Sequence, residues 1–144
     1  MGKAKSRVRI ERGLADMSTA IEEEAAPCWA YEPEEHDEEH KYEAPLGDGH
    51  ATLTRFVFRQ GRMVDFNISQ CTRRGGKWQL VARADSRHGT VHVHQYDQAG
   101  DKVGEPDILC PIATQQDLEI GYDQAEAMLE LRWDDNYRRW TDAG

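Results

Sequence analysis

Four runs of alternating apolar and polar residues, separated by short turns, occupy residues 51–97 of this 144-residue chain. Successive side chains of a β-strand point to opposite faces, so each run presents its apolar residues on one side. In the last run Val91 and Val93 alternate with His92 and His94. The pattern predicts an antiparallel meander of about four strands, with the valines in the core and the histidines on the opposite face.

A long amphipathic helix is predicted after the meander. Thr114 is a candidate N-cap, with Asp117 three residues later. From Leu118 to Trp140, apolar residues recur at three- and four-residue steps over about six or seven turns. The fold class is therefore α+β, with the helix packed on one face of the sheet, and residues 51–144 form a single domain. Residues 102–110 are expected to add a short edge segment.

The charge of the chain is divided into blocks, although the whole chain carries −9. Residues 1–12 are basic, residues 13–50 carry twelve acidic residues against Lys41, and residues 51–90 carry eight basic residues against two acidic ones. We predict that residues 1–50 comprise a basic arm and an acidic, partly flexible segment outside the folded domain.

The basic block has two interpretations. It could bind RNA phosphates or an acidic partner, or it could be neutralised by the acidic segment of the same chain. The acidic segment could in turn bind a basic, nucleic-acid-binding protein. The candidate binding residues are basic in the first set and acidic in the second: Arg55, Arg59, Arg73 and Arg74, and Glu34, Glu35, Glu38 and Glu39.

Three cysteines and the hydropathy of the chain bear on its environment. Cys28, Cys71 and Cys110 are odd in number and widely spaced, and no secretory signal is recognised, which favours reduced thiols in a cytoplasm. Cys71 and Cys110 are expected to be small core residues rather than nucleophiles. No apolar run approaches the length of a transmembrane helix, so no membrane partner is expected.

The last two predicted strands form a hairpin that carries the candidate functional site. With residues 86–89 as a four-residue loop, Asp85 would face Thr90 and Arg83 would face His92 across the hairpin. One face of the hairpin then carries Arg83, Asp85, His92 and His94, with His88 at its rim.

This cluster permits three kinds of function. In a ribonuclease, His88 and His92 would exchange protons with RNA, Arg83 would bind phosphate and Asp85 would orient a histidine. In a metal-binding protein, His92 and His94, with His88 or Asp85, would ligate zinc or another divalent transition metal. In an interaction protein, the cluster would be a hydrogen-bonded surface with no catalytic role.

A second histidine pair gives a weaker metal signal. His36 and His40 are four residues apart and would share one face of a helix. The pattern lacks the glutamate directly after the first histidine that zinc peptidases use, and Pro33 and dense like charge disfavour a helix there. Adventitious metal binding is the stronger expectation for this pair.

The segment from Arg83 to His92 resembles a family of small uncharacterised proteins of actinobacteria and their phages. Those proteins carry an Arg-aromatic-Asp-x-x-His-Gly-x-x-His stretch between a β meander and a C-terminal helix. The resemblance covers about residues 51–140, with Ala84 in place of the aromatic residue. It extends more distantly to the toxins of toxin–antitoxin pairs, which implies an antitoxin-like partner and a bacterial or phage-infected cytoplasm.

Overall fold

A computed structural model describes residues 29–143, which form a six-stranded antiparallel sheet and one C-terminal helix. The basic arm of residues 1–12, the region of residues 13–28 and Cys28 lie outside the described residues. Within residues 29–143, no helix is long and apolar enough to cross a membrane. In chain order the elements are β1 (Glu38–Gly47), β2 (His50–Arg59), β3 (Arg62–Arg74), β4 (Lys77–Asp85), a 3-10 turn (Arg87–Gly89), β5 (Thr90–Tyr96), β6 (Lys102–Pro111) and α1 (Gln115–Ala143).

The sheet is a meander in which each strand pairs with the next one in the chain. The four predicted strands are β2 to β5, and the α+β class is confirmed. The prediction of about four strands is too low for the described residues, because β1 and β6 extend the sheet at its two edges. β1 carries Glu38, Glu39, Lys41 and Glu43, and such charges are common on edge strands because they discourage pairing with other chains.

The sequence predicted only a short edge segment where β6 lies. It contains Gly104 and Pro106, and its alternation is weak. Proline lacks the backbone N–H that a residue of an inner strand donates to a neighbouring strand, but an edge strand tolerates proline where that position faces away from the sheet. The expected short edge segment is therefore a full ten-residue strand.

Helix α1 packs on one face of the sheet, as its apolar stripe predicts. Leu118, Ala125 and Leu129 are fully buried against a core that includes Phe66, Ile68, Ala84, Val91 and Val93. Gly121 sits where a Cβ atom would lie only 2.4 Å from Val91 Cγ2. The absence of a side chain at this position lets the helix approach β5 closely.

The segment before β1 is fixed to the sheet by polar contacts. Trp29 donates its indole N–H to the Val64 carbonyl at 3.1 Å, and the Tyr31 hydroxyl donates to Asp37 Oδ2 at 2.7 Å. Arg59 on β2 donates from Nε to Asp37 Oδ1 at 2.8 Å. Arg59 and Tyr31 lower the pKa of Asp37 strongly by hydrogen bonding to its carboxylate. Part of the predicted acidic segment is thus held against the sheet.

Candidate functional site

The turn between β4 and β5 sets which residues of the candidate site face one another. Asp85 pairs with His92, and Arg83 pairs with His94, so the predicted register is wrong by two residues. The start of β5 pairs with β6 instead of β4: Thr90 lies opposite Pro111. A shift of two residues preserves the alternation of faces, so Asp85, His92 and His94 still share one face of the sheet.

The turn between β4 and β5 is held by hydrogen bonds to β3. Ser86 is buried, and its hydroxyl donates to Asp65 Oδ1 at 2.9 Å and accepts the Phe66 N–H at 3.3 Å. His88 follows in the left-handed region with φ 60°, and the Ile112 N–H donates to the Gly89 carbonyl. These contacts belong to a connection between β4 and β5 that is longer than the predicted turn. The pairing of β5 with β4 therefore begins at His92 rather than at Thr90.

Asp85 and His92 form the centre of the site. His92 Nε2 lies 3.0 Å from Asp85 Oδ1, and both side chains are largely buried. The other ring nitrogen, Nδ1, is 3.1 Å from the Thr90 hydroxyl. Asp85 Oδ1 also accepts the Arg87 backbone N–H at 3.1 Å. The imidazole of His92 therefore has a polar neighbour at each nitrogen, the Asp85 carboxylate at Nε2 and the Thr90 hydroxyl at Nδ1.

His94 completes a group of three possible metal ligands. One ligand atom each from Asp85, His92 and His94 lies within 4.8 Å of the other two. The His92 and His94 rings meet edge to face, with centroids 4.8 Å apart. Burial, aided by the positive charge of Lys102, lowers the pKa of His94. The neutral imidazole that this favours is the form that binds a metal ion.

These three side chains open into a pocket of about 290 Å³. Arg87, His88 and Lys102 contribute its polar wall, while Pro106 and Ile108 contribute an apolar wall. His88 lines this pocket, and the sequence predicted it at the rim of the site. Arg87, Thr90 and Lys102 were not predicted as site residues. The position of Arg87 next to His88 is a signal that could have indicated it, whereas Lys102 lies on a strand whose pairing the sequence does not reveal.

Arg83, the predicted phosphate ligand, is not among the residues that line this pocket. It shares the sheet face with the histidines, but its Nε donates to the Ser69 hydroxyl on β3 at 2.9 Å. The side chain is thus directed along the sheet towards β3, away from β6 and the pocket wall. The arginine and the lysine that line the pocket are Arg87 and Lys102.

The four basic residues predicted to bind RNA lie in two places. Arg55 joins Glu39 and Asp65, and Arg59 joins Asp37 and Glu34. Residues of the acidic segment thus neutralise these two arginines. This agrees with the second interpretation of the basic block, in which the same chain supplies the acidic partner. The other two lie at the tip of the β3–β4 hairpin and stack on aromatic rings: Arg73 on Trp78 and Arg74 on Trp140.

The acidic candidates also differ in what they contact. Glu34 and Glu39 pair with Arg59 and Arg55, while Glu38 lies 3.7 Å from His40 and Glu35 is exposed. His36 lies in a turn and His40 on β1, where its ring packs on Phe58. These two histidines do not share a helix, so the geometry for the second metal pattern does not form.

The two described cysteines are free thiols outside the pocket. Cys71 is buried, and burial raises its pKa to about 11. Burial also raises the pKa of Cys110. Both thiols are therefore protonated at neutral pH and match the small core residues that the sequence predicts.

The described chain is thus an antiparallel sheet, covered on one face by a helix, with a polar His–Asp pocket on the other face. Residues 34–143 match the family described as Domain of unknown function (DUF7718), and the chain belongs to this uncharacterised family. No curated protein and no solved structure matches the chain.

Proposed function

We propose that the protein binds a divalent transition metal ion through Asp85, His92 and His94. The observation that carries the proposal is that their ligand atoms lie within 4.8 Å of one another. Tetrahedral bonds of about 2.0–2.1 Å place ligand atoms roughly 3.4 Å apart, which small side-chain rotations would reach here. Two imidazoles and one carboxylate suit zinc or iron(II), and three protein ligands leave a coordination position open.

The surroundings of the three ligands support this proposal. All three lie on the adjacent strands β4 and β5, whose pairing fixes their backbones. Thr90 lies at hydrogen-bond distance from His92 Nδ1, which leaves Nε2 for the metal. Metal-binding histidines usually have such a partner on the other ring nitrogen, because it fixes the tautomer. The close contact between Asp85 and His92 would be replaced by two bonds to the ion.

Calorimetric titration of the metal-free protein with Zn²⁺ and spectroscopic titration with Co²⁺ test the proposal. We expect one ion per chain, with affinity reduced by more than about 100-fold in His94→Ala, a larger loss than removal of a ligand's hydrogen-bond partner causes. His40→Ala is the matched control, because His40 is exposed on β1. Equal affinities in the two variants would overturn the proposal.

Metal-independent RNA cleavage is a second candidate, and one observation favours it. His88 and His94 line one pocket with the basic side chains of Arg87 and Lys102, and acid–base cleavage of a phosphodiester requires both a proton acceptor and a proton donor. Both nitrogens of His92 already have partners, so His94 would accept the proton of the attacking RNA hydroxyl and His88 would donate a proton to the leaving oxygen. Cleavage of a mixed RNA pool that persists with chelator and disappears in His94→Ala would support this candidate over the metal site.

The predicted roles as a toxin-like, phage-associated or inhibitory protein stay predictions. Glu35 and Glu38 are exposed and could contact a basic partner, whereas Glu34 and Glu39 already pair with arginines of this chain. A pull-down with wild-type protein and a Glu35→Gln/Glu38→Gln variant tests the inhibitory role. Recovery of the same basic protein by both would place binding elsewhere.

A further inference from the structure

We infer that the open side of the proposed metal site receives a phosphoryl group, held by the ion together with Arg87 and Lys102. The inference rests on the proposed metal site and adds the class of its ligand. Its first support is position: both cationic side chains line the same pocket as Asp85, His92 and His94. They reach it from different elements, Arg87 from the 3-10 turn and Lys102 from the start of β6.

The second support is that these two cations have no acidic partner within the described residues. No carboxylate of residues 29–143 lies within salt-bridge distance of Arg87 or Lys102. By contrast, Arg55 on β2 is paired with Glu39 and Asp65. Cationic side chains that line one pocket and have no ion-pair partner attract an anion there.

Charge balance strengthens the argument. In the pocket Asp85 contributes one negative charge against the two positive charges of Arg87 and Lys102. A divalent ion would raise the excess positive charge further. Metal ions are often the largest local charges in a site, so the ligand that completes it is expected to be anionic.

The volume of the pocket limits the size of the anion that it can hold. A volume of about 290 Å³ is at the lower end of small-molecule sites, which run from about 300 to 1,000 Å³. This space suits a phosphate group or a small phosphate monoester. Pro106 and Ile108, the latter 64% exposed, form an apolar wall against which the organic part of an ester would pack.

A phosphoryl group also fits the number of donors better than a carboxylate does. Three separate positive groups surround the pocket: the ion, the Arg87 guanidinium and the Lys102 ammonium. A phosphoryl group offers three terminal oxygens for them, whereas a carboxylate offers two. Arginine matches phosphate with two parallel N–H donors, and lysine binds it as a point charge.

The backbone of the turn gives independent support. His88 adopts φ 60° and ψ 34°, a left-handed conformation that non-glycine residues adopt infrequently. This conformation places an exposed imidazole at the rim of the pocket, next to Arg87. Unusual backbone conformations cluster at ligand sites, where they aim a side chain at its target.

Spectroscopic titration of the Co²⁺-loaded protein with inorganic phosphate, at constant ionic strength, tests the inference. We expect a saturable change of the Co²⁺ absorption bands with phosphate and a much weaker one with acetate. Arg87→Met and Lys102→Met should each raise the phosphate Kd by about tenfold or more, the effect of losing one charge-assisted hydrogen bond. Arg132→Met is the matched control, because Arg132 is exposed on α1, which packs on the opposite face of the sheet.

The outcomes separate the inference from the proposed function. One Co²⁺ bound per chain without a phosphate response would leave the metal site standing and overturn the phosphoryl ligand. Equal phosphate affinity in all three variants, or equal responses to phosphate and acetate, would also overturn it. Failure to bind Co²⁺ would overturn the metal site itself, and the phosphoryl ligand of that site with it.

Discussion

Asp85 lies directly opposite His92 across strands β4 and β5, with its Oδ1 atom 3.0 Å from His92 Nε2. The pair has two consequences. It holds a buried imidazole in one orientation, and it directs a carboxylate and an imidazole towards the same point as His94. The contact between Asp85 and His92 therefore contributes both to the stability of the fold and to the proposed metal site. Variants of Asp85 must be chosen so that these two contributions can be measured separately.

Asp85→Ala and Asp85→Asn separate these roles. The alanine removes the carboxylate that lies 3.0 Å from His92 Nε2 and leaves the Arg87 N–H without its acceptor, and losing the partner of a buried group costs about 1–3 kcal/mol. The asparagine retains an acceptor oxygen, so we expect a smaller loss in the free energy of unfolding measured with urea. Metal affinity should fall in both variants. Equal destabilisation by the two substitutions would show that the hydrogen bonds contribute little.

Thr90→Val tests the contact on the other side of His92. Valine has nearly the shape of threonine but lacks the hydroxyl that meets Nδ1 at 3.1 Å. We expect metal affinity to fall by about 10–100-fold, because the tautomer and ring orientation are no longer fixed. Thr90→Ser retains the hydroxyl and should bind nearly as tightly as the wild type. Equal affinity of the valine and serine variants in calorimetry would contradict this role.

Gly121→Ala tests the close approach of α1 to the sheet. A methyl group there would lie 2.4 Å from Val91 Cγ2, so helix and strand must separate. We expect a loss of about 1–3 kcal/mol in the free energy of unfolding, as overpacked cores show, despite the better helix propensity of alanine. Val91→Ala removes the clashing methyl and should cost less in the Gly121→Ala background than alone. Additive losses would contradict the proposed clash.

The sequence predicted the elements whose patterns reflect burial. The β2 to β5 meander and α1 were predictable because the apolar residues of each element recur with the period of that element. Phe66, Val91 and Leu129 are examples, and all three lie in one core. β1 was not predictable from the sequence, because its residues are mostly exposed and charged and show no apolar alternation. Only its backbone pairing with β2 defines it as a strand. The strand pairing of an edge depends on its neighbour, which a local pattern does not contain.

The candidate site was predictable in its residue types but not in its register. Alternation placed Asp85, His92 and His94 on one face, since a two-residue shift leaves faces unchanged. The shift itself comes from Ser86, whose hydrogen bonds to β3 join residues twenty positions apart in the chain. Lys102 enters the pocket from β6 by the same kind of long-range placement.

Leu129 and Leu131 give a direct test of the helix orientation. Leu129 is fully buried, whereas Leu131 is 80% exposed, although the two residues are close in the chain. We expect Leu129→Ala to lower the free energy of unfolding by about 2–5 kcal/mol through the cavity it leaves. Leu131→Ala should change it by less than about 0.5 kcal/mol. Similar losses from both, measured by urea unfolding, would mean that the other face of α1 is covered in solution.

Asp37 should make stability depend on acid pH. Hydrogen bonds from Arg59 and Tyr31 lower its pKa below the ordinary value of 3.8. A carboxyl with a lowered folded-state pKa stabilises the fold above its unfolded pKa, and this stabilisation is lost as pH falls towards the folded pKa. Wild-type protein should therefore exceed Asp37→Asn in stability at pH 6, and the difference should shrink below about pH 4.

Urea unfolding of both proteins between pH 2.5 and 6 measures this difference. Glu35→Gln is the matched control, because it removes an exposed carboxylate from the same segment and should change stability at pH 6 by less than about 0.5 kcal/mol. A difference between wild type and Asp37→Asn that stays constant across this range would contradict the ion pair with Arg59. Since that pair fixes the segment before β1, its loss at low pH should also increase hydrogen exchange at the Asp37 amide, which donates to the Glu34 carbonyl.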